Sequence, residues 1–323
     1  MNRNLLFPIL MLGLTVLACG LTSGGTPSAT PSEVGLAATG TNTPFLPMPS
    51  PTPLPLATLG LTPTSSPLTM DLLRGSTYFA PAYQRTVRLV NGSFSDNSSS
   101  GPYSVQMLDV QAFGDLNADG VDDAAVLLVE NNGGSGQFES VVAVLNSGGI
   151  PYPVGQAVLG DRVKINSMQI ASGEITLDML VQGPNDAMCC PSQSEAQTYQ
   201  LVGGALWLRH LVSRTPAGSE RVIAITAPQS GGTVSSPFTL SGNVTIAPFE
   251  NTLAFRIFFP DGEKINESTL KVTSAAPGGP GTFDLPIDLS QAGVTGTLIL
   301  QVLDLSAADG STLAMDSLVL TVK

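Results

Sequence analysis

After residue 69, apolar and polar side chains alternate with a period of two along most of the chain. Runs at 86–90, 104–113, 124–130, 140–146, 162–170, 174–182, 196–202 and 205–211 place β-branched or large apolar residues at every second position. That is the pattern of strands with a buried face. Turn formers separate them: Asn91-Gly92, Asn132-Gly133-Gly134, Ser172-Gly173 and Gly203-Gly204, several at hairpin spacing. One short helical turn is expected at 70–77. The pattern predicts a mainly β protein, with an antiparallel β-domain over 69–212 and a short linker at 213–220. The second stretch, 221–323, carries short strands between Pro-Gly and Asp-Gly turns, the rhythm of a β-sandwich.

Before residue 69 the alternation is absent. Arg3 is followed by an apolar run at 5–17 and by Val16-Leu17-Ala18-Cys19-Gly20. A charged start, a greasy segment too short to span a bilayer and a small residue at the end form a secretory signal. Val16–Gly20 resembles the lipobox of bacterial lipoproteins. The resemblance implies a signal peptide at 1–18, cleavage before Cys19 and acylation of its thiol, palmitate being a typical chain. The protein is then held on the extracytoplasmic side of the cell membrane, since two or more acyl chains anchor durably. Residues 19–68 are rich in Pro, Thr and Ser, with Glu33 the only charge before Asp71. Prolines lack the donor that ladders and helices need, so a disordered, extended tether is expected. Its reach falls between roughly 40 Å as a coil and roughly 150 Å fully extended.

Composition narrows the partners. Asp and Glu outnumber Lys and Arg by 25 to 13, for a net charge of −12, and no basic cluster occurs. Nucleic acid is excluded as a partner, because its affinity rests on neutralising phosphates. Docking on anionic lipid by charge fails for the same reason, so membrane attachment has to be covalent.

Three motifs in the first domain, Gly114–Gly120 (Gly-Asp-Leu-Asn-Ala-Asp-Gly), Leu159–Val163 and Cys189-Cys190-Pro191, resemble those of an uncharacterised envelope-lipoprotein domain. No activity comes with that likeness. In the second, Pro228-x-x-Gly231-x-x-Val234-x-Ser236-Pro237, then Phe249-Glu250, then Asp309-Gly310-Ser311 resemble, in that order, the immunoglobulin-like domain of bacterial spore-germination lipoproteins. The resemblance implies an Ig-like sandwich used for envelope interactions. Phe258-Phe259-Pro260 is bulkier than that pattern leads one to expect before the Asp261-Gly262 turn.

The sharpest chemical motif is the loop 115–123. Asp115, Asn117, Asp119 and Asp123 carry side-chain oxygens, Gly120 permits the turn, and the Val121 carbonyl supplies a further donor. Short loops wrap Ca²⁺ in this way. The loop resembles calcium loops of FG-GAP and dockerin type, though Val126 stands where an EF-hand has its bidentate Glu. The competing reading is an Asp-Gly hairpin with solvated carboxylates. Cys189 and Cys190 read as a vicinal disulfide, a bond to other chains or a buried reduced pair. Cys-x-x-Cys spacing is absent, which disfavours redox work. His210, the one histidine, reads as a strand residue, and no Gly-x-Ser-x-Gly elbow or phosphate-cradling loop occurs. No catalytic residue is therefore designated. The leading expectation is a non-enzymatic, membrane-tethered surface lipoprotein, calcium-stabilised, that binds an envelope protein or wall polymer. The alternative is an envelope hydrolase acting on glycan or peptide through carboxylates within 69–212, and a third reading is an accessory subunit of a surface complex.

Overall fold

Thr69 opens the first helix. Its hydroxyl accepts the Leu72 N–H at 3.4 Å and caps the helix α1, Met70–Arg74, which buries Leu73. The computed structural model describes residues 66–97, 101–290 and 293–323, all within one compact unit, Gly60–Lys323. The chain meets this unit before the helix: Leu68 is buried, and the Ser66 carbonyl accepts an Asn146 side-chain N–H at 3.0 Å. Residues 1–65, including Cys19 and most of the expected tether, lie outside the described residues.

A hairpin of β1 (Thr77–Ala80) and β2 (Arg85–Arg88) follows, and then β3 (Ser93–Asp96), β4 (Tyr103–Gly114), β5 (Asp123–Asn131), β6 (Phe138–Ser147) and β7 (Ile150–Asp161). Strands β3 to β7 pair antiparallel in sequence order. β5 and β6 are continuous apolar runs, and because successive side chains of a strand point to opposite faces, both of their faces are apolar. Val126, Leu128, Val142 and Val144 face the helix and hairpin. Ala125, Leu127, Val141 and Ala143 face a second sheet. Each such fully buried Leu or Val contributes about 1.5–3 kcal/mol.

Strand β7 is not among those the alternation predicts, because Pro151, Pro153 and Gly155 interrupt it. It lies at the sheet edge, where a strand tolerates proline. Gly155 answers a second demand: a Cβ there would sit 2.8 Å from the Leu206 backbone nitrogen, so the two layers approach too closely for a side chain.

The second sheet begins with β8 (Lys164–Ala171), β9 (Glu174–Val181), β10 (Gln193–Val202) and β11 (Ala205–Arg214). Ser213 and Arg214, read from the sequence as the start of a linker, are the last residues of β11. They pair with Arg221 and Glu220 of β12 (Glu220–Arg221). Then come β13 (Ile223–Ala227), β14 (Thr233–Val234), β15 (Phe238–Val244), β16 (Thr252–Phe258), β17 (Lys264–Lys271), β18 (Thr273–Ser274), β19 (Gly281–Ile287), β20 (Gly296–Leu305) and β21 (Thr312–Val322). Strands β13, β15, β19 and β18 form one layer. Strands β17, β16, β20 and β21 form the other, and this layer continues through β11 into β10, β9 and β8. Leu240, Phe283, Ile257, Leu300 and Leu318 belong to the core between the two layers. The fold is mainly β, as the period-two pattern predicts. One sheet runs through both halves, joined where His210, Leu211 and Val212 pair with Asp316, Met315 and Ala314.

Candidate functional site

The β4–β5 connection holds the Asp-rich loop. Its short polar side chains bond to nearby backbone N–H groups, which is what Asp and Asn do in turns. Asp115 Oδ1 accepts from Asn117 and Asp119 at 3.2 Å each, and Oδ2 accepts from Gly120 at 2.8 Å. Those N–H groups, Gly120 foremost, hold the Asp115 carboxyl below the usual carboxylate range. Asn117 Oδ1 accepts the Asp119 N–H, its Nδ2 donates to Asp119 Oδ2 at 2.9 Å, and Asp119 Oδ1 accepts the Val121 N–H. Gly120 sits at φ 82° and Ala118 at 62°, a region that glycine enters freely and alanine does not.

Asp123 is placed differently from its neighbours in the motif. It is fully buried. Its carboxylate accepts Leu116 N–H at 2.9 Å and Asn146 N–H at 2.8 Å, clamping the loop to the end of β6. Burial raises its pKa despite those bonds. The structure therefore brings Asp115, Asn117 and Asp119 together on one exposed loop and turns Asp123 inward. Among the described residues, no three His, Cys, Asp or Glu side chains are grouped as metal ligands are. Beside the loop lies an open hollow of about 650 Å³, shared with the β8–β9 turn and the β10–β11 turn at Gly203 and Gly204.

Cys189 and Cys190 are joined as a vicinal disulfide on an exposed loop. Asp186 closes that loop, accepting the Gly183 and Ser192 N–H groups and the Ser192 hydroxyl at 2.7–2.8 Å. His210 lies beside Asp316, with its Nδ1 at 2.9 Å from the carboxylate.

Sequence reasoning passed over three buried carboxylates of the first domain. Glu130 accepts three hydrogen bonds, from Ala82 N–H, Tyr83 N–H and the Tyr103 hydroxyl. Glu195 takes a hydrogen bond from Gln197, which in turn accepts one from the buried Tyr199 hydroxyl at 2.5 Å. Burial raises the Glu195 pKa. Glu139 accepts the Val163 N–H at 3.2 Å, yet burial pushes its carboxyl up to about 7, with the Asp161 charge acting in the same sense. The available signal was an acid at an inward position of an alternating strand.

A pH effect follows for Glu139. Its folded pKa of about 7 stands above its ordinary 4.5. The stability it contributes is therefore complete below 4.5 and is lost as pH rises through 7. Glu139→Gln keeps the size and the acceptor and removes the charge. It is expected to stabilise the protein at pH 8 by roughly 2 kcal/mol, with little effect near pH 4.5. Urea titrations at the two pH values check this, and equal effects at both would refute it.

The two layers of the C-terminal half enclose an antiparallel sandwich core, the immunoglobulin-like class of β-domain. Residues 222–311 match the family described as the immunoglobulin-like domain of bacterial spore germination. No curated protein matches the chain. The bulky Phe258-Phe259-Pro260 segment has a structural reason. Trp207 of β11 packs on Phe258, with centroids 5.5 Å apart, and its indole N–H donates to the Pro260 carbonyl at 3.3 Å. The departure from the family pattern thus falls where the N-terminal domain docks.

Proposed function

We propose that this chain is a non-catalytic, lipid-anchored surface lipoprotein whose β-domain and Ig-like module work as one binding body in the bacterial envelope. The observation that carries this reading is the Ig-like module itself. It matches a domain of bacterial spore germination, and it is welded by a shared sheet to a second β-domain with no catalytic motif in its sequence. The family ties the module to germination, and this protein is proposed to serve a related surface role. A leader at 1–18 that runs into Cys19 through Val16-Leu17-Ala18 supports the anchored location. Among the described residues no helix is long and apolar enough to cross a membrane.

Cys19→Ser is the direct test. The wild type is expected in the membrane fraction with a diacylglyceryl mass on its N-terminal peptide, and the variant without that mass and no longer held by lipid. A variant that stays equally membrane-bound, with no acyl mass on the wild type, would remove the basis of this reading. Pull-down of the anchored protein then identifies the envelope partner. Turnover of a wall substrate in place of any partner would instead favour a hydrolase.

Calcium belongs to the same proposal as a structural clamp. Asp115, Asn117, Asp119 and the Val121 carbonyl would hold it. Asp115 Oδ2 and both Asp119 oxygens accept one N–H each and retain a lone pair, whereas Asp115 Oδ1 already accepts two. With Asp123 committed to the core, fewer protein ligands remain than the six to eight oxygens Ca²⁺ prefers, so water fills the remainder and affinity is low. Calcium at tenfold over its dissociation constant is expected to add about 1.4 kcal/mol to the wild type and nothing to Asp119→Ala. Thermal unfolding with calcium and with chelator reads the difference. An unchanged wild-type melt would leave the loop a turn closed by its own N–H bonds.

A further inference from the structure

At one end of the Ig-like module, the β15–β16 connection, the β18–β19 loop and the ends of β20 and β21 surround a hollow of about 660 Å³, with Arg221 of β12 on its wall. That is the size of a small-ligand or side-chain pocket, where a few polar groups among apolar walls set specificity.

Its chemistry is unbalanced. Asp304 lines it while only 4% exposed. Among the described residues its one partner is Arg221 Nη1, at 3.5 Å, the outer limit of a hydrogen bond. A mostly buried carboxylate with one long protein contact keeps acceptor capacity for a donor that enters the hollow. Burial accordingly raises its pKa. Glu250 adds a second negative charge, so the two acids outnumber the single Arg221.

The rim is equally specific. Phe249 lines the hollow and is 69% exposed, with Pro277 and Leu313 also contributing to the walls. Glu250 and Asn251 hold left-handed backbone at φ 54° and 52°, a conformation that costs a non-glycine residue energy and tends to persist where a site is being shaped. Phe249 and Glu250 therefore sit on a turn with a costly backbone, lining the same hollow as a mostly buried acid whose protein partner is distant.

We propose that this hollow binds a basic side chain, lysine or arginine, presented by a partner polypeptide. The cation completes the coordination of Asp304 and faces Glu250, while its alkyl stem lies along Phe249. That ring adds a cation–π contact when the charge passes over its face. The chain's net charge of −12 draws such a partner in. The proposal deepens the binding-protein reading and rests on it.

The test uses the full chain in detergent and three fluorescein-labelled, amidated pentapeptides of alanine with a central lysine, arginine or glutamine. Anisotropy titrations at low salt are expected to show the lysine and arginine peptides bound at least about tenfold more tightly than the glutamine peptide. Asp304→Asn is expected to remove that preference. Glu250→Gln, at an exposed position that leaves the fold intact, is expected to weaken the lysine peptide about threefold. Phe249→Ala should weaken lysine and arginine alike. Equal binding of all three peptides, no binding at millimolar concentration, or unchanged affinity in Asp304→Asn and Glu250→Gln would overturn the assignment. None of those results bears on the anchored-surface reading, which the fractionation of Cys19→Ser decides separately.

Discussion

Glu130→Ala is expected to cost about 3–5 kcal/mol of stability and to lower the melting temperature by roughly 10 °C. Glu130 is fully buried on β5. Its carboxylate receives Ala82 N–H at 2.8 Å, Tyr83 N–H at 3.1 Å and the Tyr103 hydroxyl at 3.0 Å. Two of these donors belong to the β1–β2 turn, so this one side chain ties the hairpin to the five-stranded sheet. Alanine leaves all three donors without their acceptor, the Tyr103 hydroxyl in a buried place and the two turn N–H groups in partly buried ones, and opens a void; an unpaired buried donor costs more than the bond it made. Around the same point Tyr83 stacks edge-on against Tyr103 and Phe138, and Arg85 lies 4.2 Å from the Tyr103 ring centroid while pairing with Asp96. Tyr103→Phe removes a single donor and keeps the rings, so it should cost about 1 kcal/mol. Urea denaturation ranks the two variants, and hydrogen exchange over 77–88 should quicken in Glu130→Ala. A loss under about 1 kcal/mol for that variant would contradict the clamp.

Asp316→Ala is the second large effect, expected at about 3–5 kcal/mol because it breaks a buried ion pair from one side. Asp316 lies on β21 with its side chain 5% exposed. It accepts Arg209 Nη1 at 2.7 Å and Ile225 N–H at 2.6 Å, with His210 Nδ1 at 2.9 Å. These partners come from β11 and β13, so the carboxylate joins the N-terminal domain to both layers of the sandwich. The neighbouring bonds, Ser213 hydroxyl to Leu313 carbonyl and Ser317 hydroxyl to Leu208 carbonyl, depend on the same register. Removing Asp316 leaves the Arg209 charge, itself only 17% exposed in its side chain, without its partner. The double variant Asp316→Ala with Arg209→Met should therefore recover part of the loss, since the stranded cation is gone. A double variant less stable than Asp316→Ala alone would show that the pair is not the source of the effect.

Alternation made the class of fold legible. It located most long strands of the first domain and the sandwich rhythm of the second, because a strand with one buried face must repeat at two. Strand β7 was hidden, since Pro151 and Pro153 read as breakers unless the strand is known to lie at an edge. The Asp-rich loop was visible as a motif, but the division of labour within it was not. Asp123 turns inward to accept the Leu116 N–H and, from the end of β6, the Asn146 N–H, 23 residues away in sequence.

Local pattern, then, determined the strands, the hairpin turns and the motif positions, because those depend on side-chain period and on backbone freedom at single residues. Tertiary structure alone decided which acids are buried and what meets them. The Glu130 contacts span 48 residues to Ala82, and the Asp316 contact spans 107 residues to Arg209. It also decided that one sheet runs through both halves and that Trp207 packs on Phe258. Hydrogen bonds and packing of that kind form only after distant strands are brought together, so no window of neighbouring residues carries their signature.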